Sequence, residues 1–407
     1  MFPDDIGNLE KLEEINASHC FHLQELPSSI GRLSSLRILR LDTTGICSLP
    51  TSICGLSRLQ TLDLYQCHQL QSLPELPPSL TSLRVTCRSM ETFPSLSNLI
   101  NLKELCFDVC VNLVEIPRDI GKLSKLETLT LSDCNNLVEI PSSIGRLSSL
   151  RILRLCTTGI CSLPTSICGL SSLQTINLYR CKQLRSLPEL PPSLTSLHVT
   201  CTPMETFPSL SKPIHLKKLS FEPGENLVEI PISQLETLYL WDTKISTLPA
   251  EIGDLSLLKQ LELHICHNLQ CIVRLPSSLI KLRLHNCKSV KSLPDLSNLI
   301  NLSELSLHNL PKLMEIQGLG KLESLMSLKI SWCKSLERLP NVSNLGILKE
   351  LKLCKCQKLA KVEGLGVLKS LETLEVTWCT SLERHDLSNL KNLKESRIPD
   401  CKNLTEI

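Results

Sequence analysis

LETLTLSDC, residues 126–134, alternates Leu129 and Leu131 with Thr128, Thr130 and Ser132. A two-residue period of this kind belongs to a strand with one buried face. Working outward, the stretch is one copy of a unit that reads L-x-x-L-x-L-x-x-C/T-x-x-L-x-x-L-P. The first Leu of the unit recurs from Leu12 to Leu393 in 18 copies, mostly 21–24 residues long, with one of 19 between Leu216 and Leu235. No copy can bury its leucines alone, so each must stack on the next.

This is the pattern of leucine-rich repeats. It predicts an α/β leucine-rich repeat solenoid, a horseshoe with a parallel β-sheet on the concave face and short helical or 3₁₀ and extended segments on the convex face. Residues 1–407 are expected to form a single solenoid with no separate second domain. In the return limbs, PSSIGRLSSL (27–36 and 141–150) offers Ser as a helix cap with Ile and Leu turned inward. That predicts one short helical or 3₁₀ turn. PELPPSL (74–80 and 188–194) cannot be helical and should run extended.

Composition narrows the function. The 407 residues carry 43 Lys+Arg against 41 Asp+Glu, with 3% aromatics. Residues 279–407 are mildly basic, with 20 basic and 14 acidic side chains. No dense basic run with interleaved aromatics appears, which argues against nucleic acid as a partner. MFPDDIGNLEKLEEI lacks a secretory signal, and no apolar run is long enough to span a bilayer. A cytoplasmic or nuclear protein without membrane contact is therefore expected, and its 21 Cys should stay reduced. Cys20, Cys67, Cys110, Cys134, Cys181, Cys266, Cys287, Cys333, Cys356, Cys379 and Cys401 share one slot just after the strand. A small, weakly polar side chain there can be buried while satisfying backbone groups. No C-x-x-C occurs, which removes the usual zinc signature, and no cofactor is expected.

Residues 27–97 recur at 141–211 without a gap, differing at ten of 71 positions. The offset of 114 equals five successive units, so a five-repeat block was duplicated whole. Nine of the ten differences are expected at exposed positions, Leu62/Ile176 being the core exception. Four of them, Asp42/Cys156, Asp63/Asn177, Gln66/Arg180 and Arg84/His198, are expected on the outward face of the strands.

The C-x-x-L-x-x-L-P cadence, the LPELPPSL run and the T-x-I-x-x-L-P variant (Thr44–Pro50, Thr158–Pro164, Thr243–Pro249) resemble the leucine-rich repeat region of plant intracellular immune receptors. The likeness is to the TIR-type nucleotide-binding disease resistance proteins and covers nearly the whole chain. It implies a ligand-sensing module in defence signalling, and a partner that is a pathogen effector or a host signalling protein. It also implies a nucleotide-binding domain, which this chain does not contain: no G-x-x-x-x-G-K-[ST] occurs, and GLGK at 318–321 has the wrong spacing.

No nucleophile elbow, H-E-x-x-H motif or recurrent carboxylate pair is present, so no enzyme is expected. The candidate site is a protein-binding concave face. All the Trp and Tyr fall on or beside the exposed register of the strands: Tyr65, Tyr179, Tyr239, Trp241, Trp332 and Trp378. Core aromatic slots hold Phe instead, as at Phe107 and Phe221. Exposed Trp and Tyr are what protein-binding hot spots favour. His264, His285 and His308 take the same outward slot in consecutive units and read as ordinary exposed histidines; a metal is disfavoured because a straight column cannot converge on one ion. Two other functions fit the same pattern. One is a stand-alone cytosolic signalling scaffold like the Ras-group leucine-rich repeat proteins, and the other is the substrate-binding arm of a ubiquitin ligase.

Overall fold

The structure is a computed structural model that describes residues 2–93, 95–199, 215–221, 234–383 and 387–399. The chain divides into two compact units, Met1–His215 and Leu216–Ile407. Their boundary falls beside the short 19-residue repeat.

In the first unit, nine parallel strands run from Glu14–Asn16 to Ser196–Val199, one from each repeat. The register follows the repeat, so equivalent residues face each other: Leu129 pairs with Leu153 and Thr130 with Arg154. Leu129 and Leu131 are fully buried, as are Leu62 and Leu64. Each apolar side chain thus stacks on its counterpart in the next repeat. The second unit repeats the plan with nine strands from Lys218–Phe221 to Glu395–Arg397. Phe107 and Phe221 are buried, as their slots predict.

The return limbs are short 3₁₀ turns, among them Ser28–Arg32, Thr51–Gly55 and Ser142–Arg146 in the first unit and Ala250–Asp254 in the second. The PELPPSL limbs contain no helix. The expected serine caps are absent. Pro27 and Pro141 occupy the N-cap positions, and proline has no side-chain acceptor to offer. Serines of the limbs instead stitch repeats together: Ser79 Oγ donates to the Leu59 carbonyl at 2.7 Å, and Ser193 Oγ to that of Leu173 at 2.8 Å. The limbs stack tightly, since a Cβ on Gly31 would lie 2.3 Å from the Ser52 carbonyl oxygen.

The turn after most of the described strands holds a feature with little sequence signal. Residues such as Val109, Asp133, Ile265, Trp332 and Lys355 all adopt a left-handed backbone with φ between 53° and 59°. Their N–H groups reach the next strand, as Asp133 N does to the Cys156 carbonyl at 2.9 Å and Trp332 N to that of Cys354 at 2.8 Å. Left-handed φ turns the chain so that the following side chain points inward. That residue is the recurrent Cys. Cys67 Sγ donates to the Leu41 carbonyl at 3.0 Å, Cys181 to Leu155 at 2.8 Å and Cys379 to Leu353 at 3.4 Å, each a carbonyl of the preceding strand. Nine ladder cysteines are buried and unpaired by disulfide. Cys20 departs from the expectation and is exposed among the described residues. Cys401 lies outside the described residues.

Candidate functional site

The outward slot after the second Leu of each strand forms a column on the sheet face of the second unit. Strand pairing places Trp241 beside His264, His264 beside His285 and His285 beside His308. The four rings touch in series. Trp241 and His264 stack nearly parallel (9°) with centroids 5.0 Å apart, and the next two pairs meet edge to face at 4.8 and 5.7 Å. Trp241 is 41% exposed, while the three histidines are half-buried between their neighbours. They are not ordinary exposed histidines, because each ring covers the next.

One column inward, a chain of ion pairs holds these rings. Glu262 is 6% exposed and accepts from His264 Nε2 at 3.1 Å, Gln260 Nε2 at 2.6 Å and Arg283 Nη1 at 3.0 Å. Arg283 continues to Glu304 at 2.7 Å, and His285 Nε2 lies 3.0 Å from Ser306 Oγ. Burial pushes the Glu262 carboxyl up, but the hydrogen bonds from His264 and Gln260 and the Arg283 charge outweigh it, leaving it below the usual carboxylate range. Burial, with the neighbouring His264 and His308, pulls His285 down to about 4. His308 is lowered by burial alone. Burial thus holds His285 and His308 towards the neutral form, and the ring contacts make the column a firm aromatic platform. Tyr239 sits in the inner column opposite Glu262, half-buried, and burial raises its hydroxyl.

Trp332 and Trp378 do not join the column. They occupy the left-handed turn position at the sheet edge, where φ is 59° and 58°, and that turn swings them off the pleat. Both are exposed, at 38% and 51%. Lys355 Nζ lies 4.0 Å from the Trp332 ring centroid. Among the described residues, no group of three or more His, Cys, Asp or Glu is arranged to hold a metal.

In the first unit the duplicated block carries Tyr65 and Tyr179, both half-buried. Three of the four singled-out differences surround these two rings. Asp63 is 8% exposed, not exposed as expected, because it accepts from Tyr65 N at 3.0 Å and pairs with Arg84 at 3.1 Å. Arg84 also lies over the Tyr65 ring, 4.8 Å from its centroid. In the second copy Asn177 keeps the bond to Tyr179 N at 3.0 Å, and His198 meets the ring edge-on at 5.4 Å. A guanidinium is again placed over the ring, this time that of Arg180 at 5.1 Å. The two copies thus differ at both ends of the ion pair together, and each places a guanidinium over its ring from a different position. Asp42/Cys156 and Gln66/Arg180 lie in the turns beyond the strands, off the strand face on which they were expected.

No protein-family model matches the chain, and no curated protein matches it. Solved structures do. The functional domain of InlJ from Listeria monocytogenes, which includes a cysteine ladder, is 17% identical with a TM-score of 0.51, covering 87% of this chain and 67% of that one. A leucine-rich repeat protein of Leptospira interrogans is 21% identical over 99% of this chain and 89% of its own, with a TM-score of 0.48. YopM from Yersinia enterocolitica is 21% identical over 95% and 91%, with a TM-score of 0.43. At these identities the likeness is one of fold, and the fold is a leucine-rich repeat solenoid.

Proposed function

We propose that the chain is a protein-recognition module, the ligand-sensing repeat region of a plant disease-resistance-type intracellular immune receptor. One observation carries the recognition reading. A tryptophan and three histidines form a continuous ring column on an open sheet face, flanked in the next column by a buried glutamate that bonds His264 and by its arginine. Preorganised aromatic surface of this kind loses little side-chain entropy on binding, which is how hot spots gain affinity. The InlJ likeness supports the scaffold only. The immune-receptor assignment rests on the C-x-x-L-x-x-L-P cadence and the LPELPPSL run, and it carries the cytosolic or nuclear location with it. The partner in that reading is a pathogen effector or a host signalling protein, and no catalytic step is assigned to the chain.

Two tests separate the levels. TIR and nucleotide-binding coding sequence upstream of residue 1 in the same gene supports the receptor; a catalytic-cysteine ligase domain, or no such sequence, removes it. For recognition itself, proteins captured on the intact chain should be lost from a Trp241→Ala, His285→Ala variant. A capture profile unaffected by both substitutions removes the ring column from the function.

A further inference from the structure

The charge of the partner is written at the sheet edge of the second unit, an inference that rests on the recognition reading above. On the sheet face of this unit, charges pair off: Arg283 sits between Glu262 and Glu304 on the two flanking strands, and Lys352 pairs with Glu350 on its own strand and with Glu375 on the next. The turns just past the thiol ladder behave differently. From Thr243 to Ser381 there are seven such turns, and Lys244, Lys288, Lys312, Lys334 and Lys358 occupy the first or second position past the ladder in five of them. A sixth carries His267, and none of these positions holds an acid. All five lysines are exposed and none joins an ion pair among the described residues. In the equivalent turns of the first unit, Lys or Arg stands only at Arg88 and Lys182, with His22 and His68 in two others, so the lysine row is not a requirement of the fold.

Repeats stack at roughly 4.8 Å per strand, so the row runs about 24 Å from Lys244 to Lys358. Like charges in such a row repel and build a local positive potential that the near-neutral chain as a whole does not have. Beside it, Lys355 and Lys334 lie 4.0 and 6.0 Å from the Trp332 ring centroid, and Trp378 is half-exposed. We infer that this edge docks an acidic, extended segment of a partner protein, its carboxylates along the lysine row and an apolar side chain against Trp332 and Trp378. A single-stranded nucleic acid would offer comparable charge. The row, however, is one residue wide and has only two aromatic seats, too few to stack successive bases.

The test uses the full chain and a panel of equal-length peptides running from strongly acidic to strongly basic. The expected result is binding that rises with peptide acidity and weakens with salt. The combined Lys334→Glu, Lys355→Glu, Lys358→Glu variant should lose about tenfold or more of it. The neutral Lys→Gln triple at the same positions should fall between that variant and wild type. A control reversing Lys122, Lys321 and Lys369, equal in net charge, should lose far less. Equal loss in the control, or peptide binding indifferent to charge, overturns the acidic-segment inference and leaves recognition standing. A single-stranded oligonucleotide that binds as tightly as the acidic peptides, with the same loss on reversal, also overturns it. If no peptide binds at all, the acidic-segment inference falls, and capture on the intact chain and its Trp241→Ala, His285→Ala variant decides the recognition reading separately.

Discussion

Asp63 and Arg84 show what a substitution can cost on an otherwise exposed sheet face. The Asp63 carboxylate is nearly covered and faces a guanidinium and a backbone N–H. Removing Arg84 alone strands that charge, so Arg84→Ala should cost about 1–2 kcal/mol, part of the penalty for an uncompensated buried charge. The block's second copy shows the compatible solution, and Asp63→Asn with Arg84→His should be close to wild type in urea denaturation. A double-variant cost equal to the sum of the Asp63→Asn and Arg84→His single costs would mean that the two sites are independent. His285 offers a second residue-level test. Its folded value, about 4, lies below the ordinary 6.5, so between these two values the unfolded chain binds the extra proton. The stability His285 supplies is therefore complete above about pH 6.5 and lost as pH falls towards 4. Urea midpoints at pH 7 and pH 5 should differ less for His285→Gln than for wild type; an unchanged difference would mean that His285 titrates normally.

At the scale of the element, strand, turn and thiol act as one device. The hydrogen bond that the Cys356 thiol donates to the neighbouring Cys333 sulfur, together with burial, pushes Cys356 up to about 12. The ladder thiols from Cys67 to Cys379 are fully buried, so they should resist alkylation in the native protein, while exposed Cys20, Cys54, Cys161, Cys168 and Cys271 react at once. Rapid native labelling of Cys134, Cys287 or Cys333 would break the ladder account. The leucine period of the strands and the inward thiol slot were legible in the residues, because burial on a two-residue period writes itself into composition. The turn was not legible. A left-handed residue is normally announced by Gly or Asn, yet here the position holds Val109, Ile265 and Trp332. Ladder bonds on both sides impose φ whatever the side chain, so local preference carries no signal. The same turn explains why Trp332 and Trp378 read as sheet-face residues in the sequence and stand at the edge in the structure. The ring column could be read from the repeat register, but not its anchoring: that depends on Glu262 being covered by Arg283 and Gln260 from two strands.

At the scale of the whole molecule, each unit is a stack in which a repeat contacts chiefly its neighbours, so a five-repeat block could be copied with its own compatible contacts. Within the second unit, polar side chains are sorted by column: ion pairs at the centre of the face, rings beside them and lysines beyond the thiol ladder. Trp241 is the best single probe of this arrangement, since it stacks on His264 and remains 41% exposed. The deciding measurement pairs the affinity of Trp241→Ala for a captured partner with its melting temperature. The predicted result is a loss of about 2 kcal/mol or more of binding, roughly thirtyfold, with melting almost unchanged because no core contact is removed. Undiminished affinity, or a large fall in melting temperature, would contradict a recognition face built on the ring column.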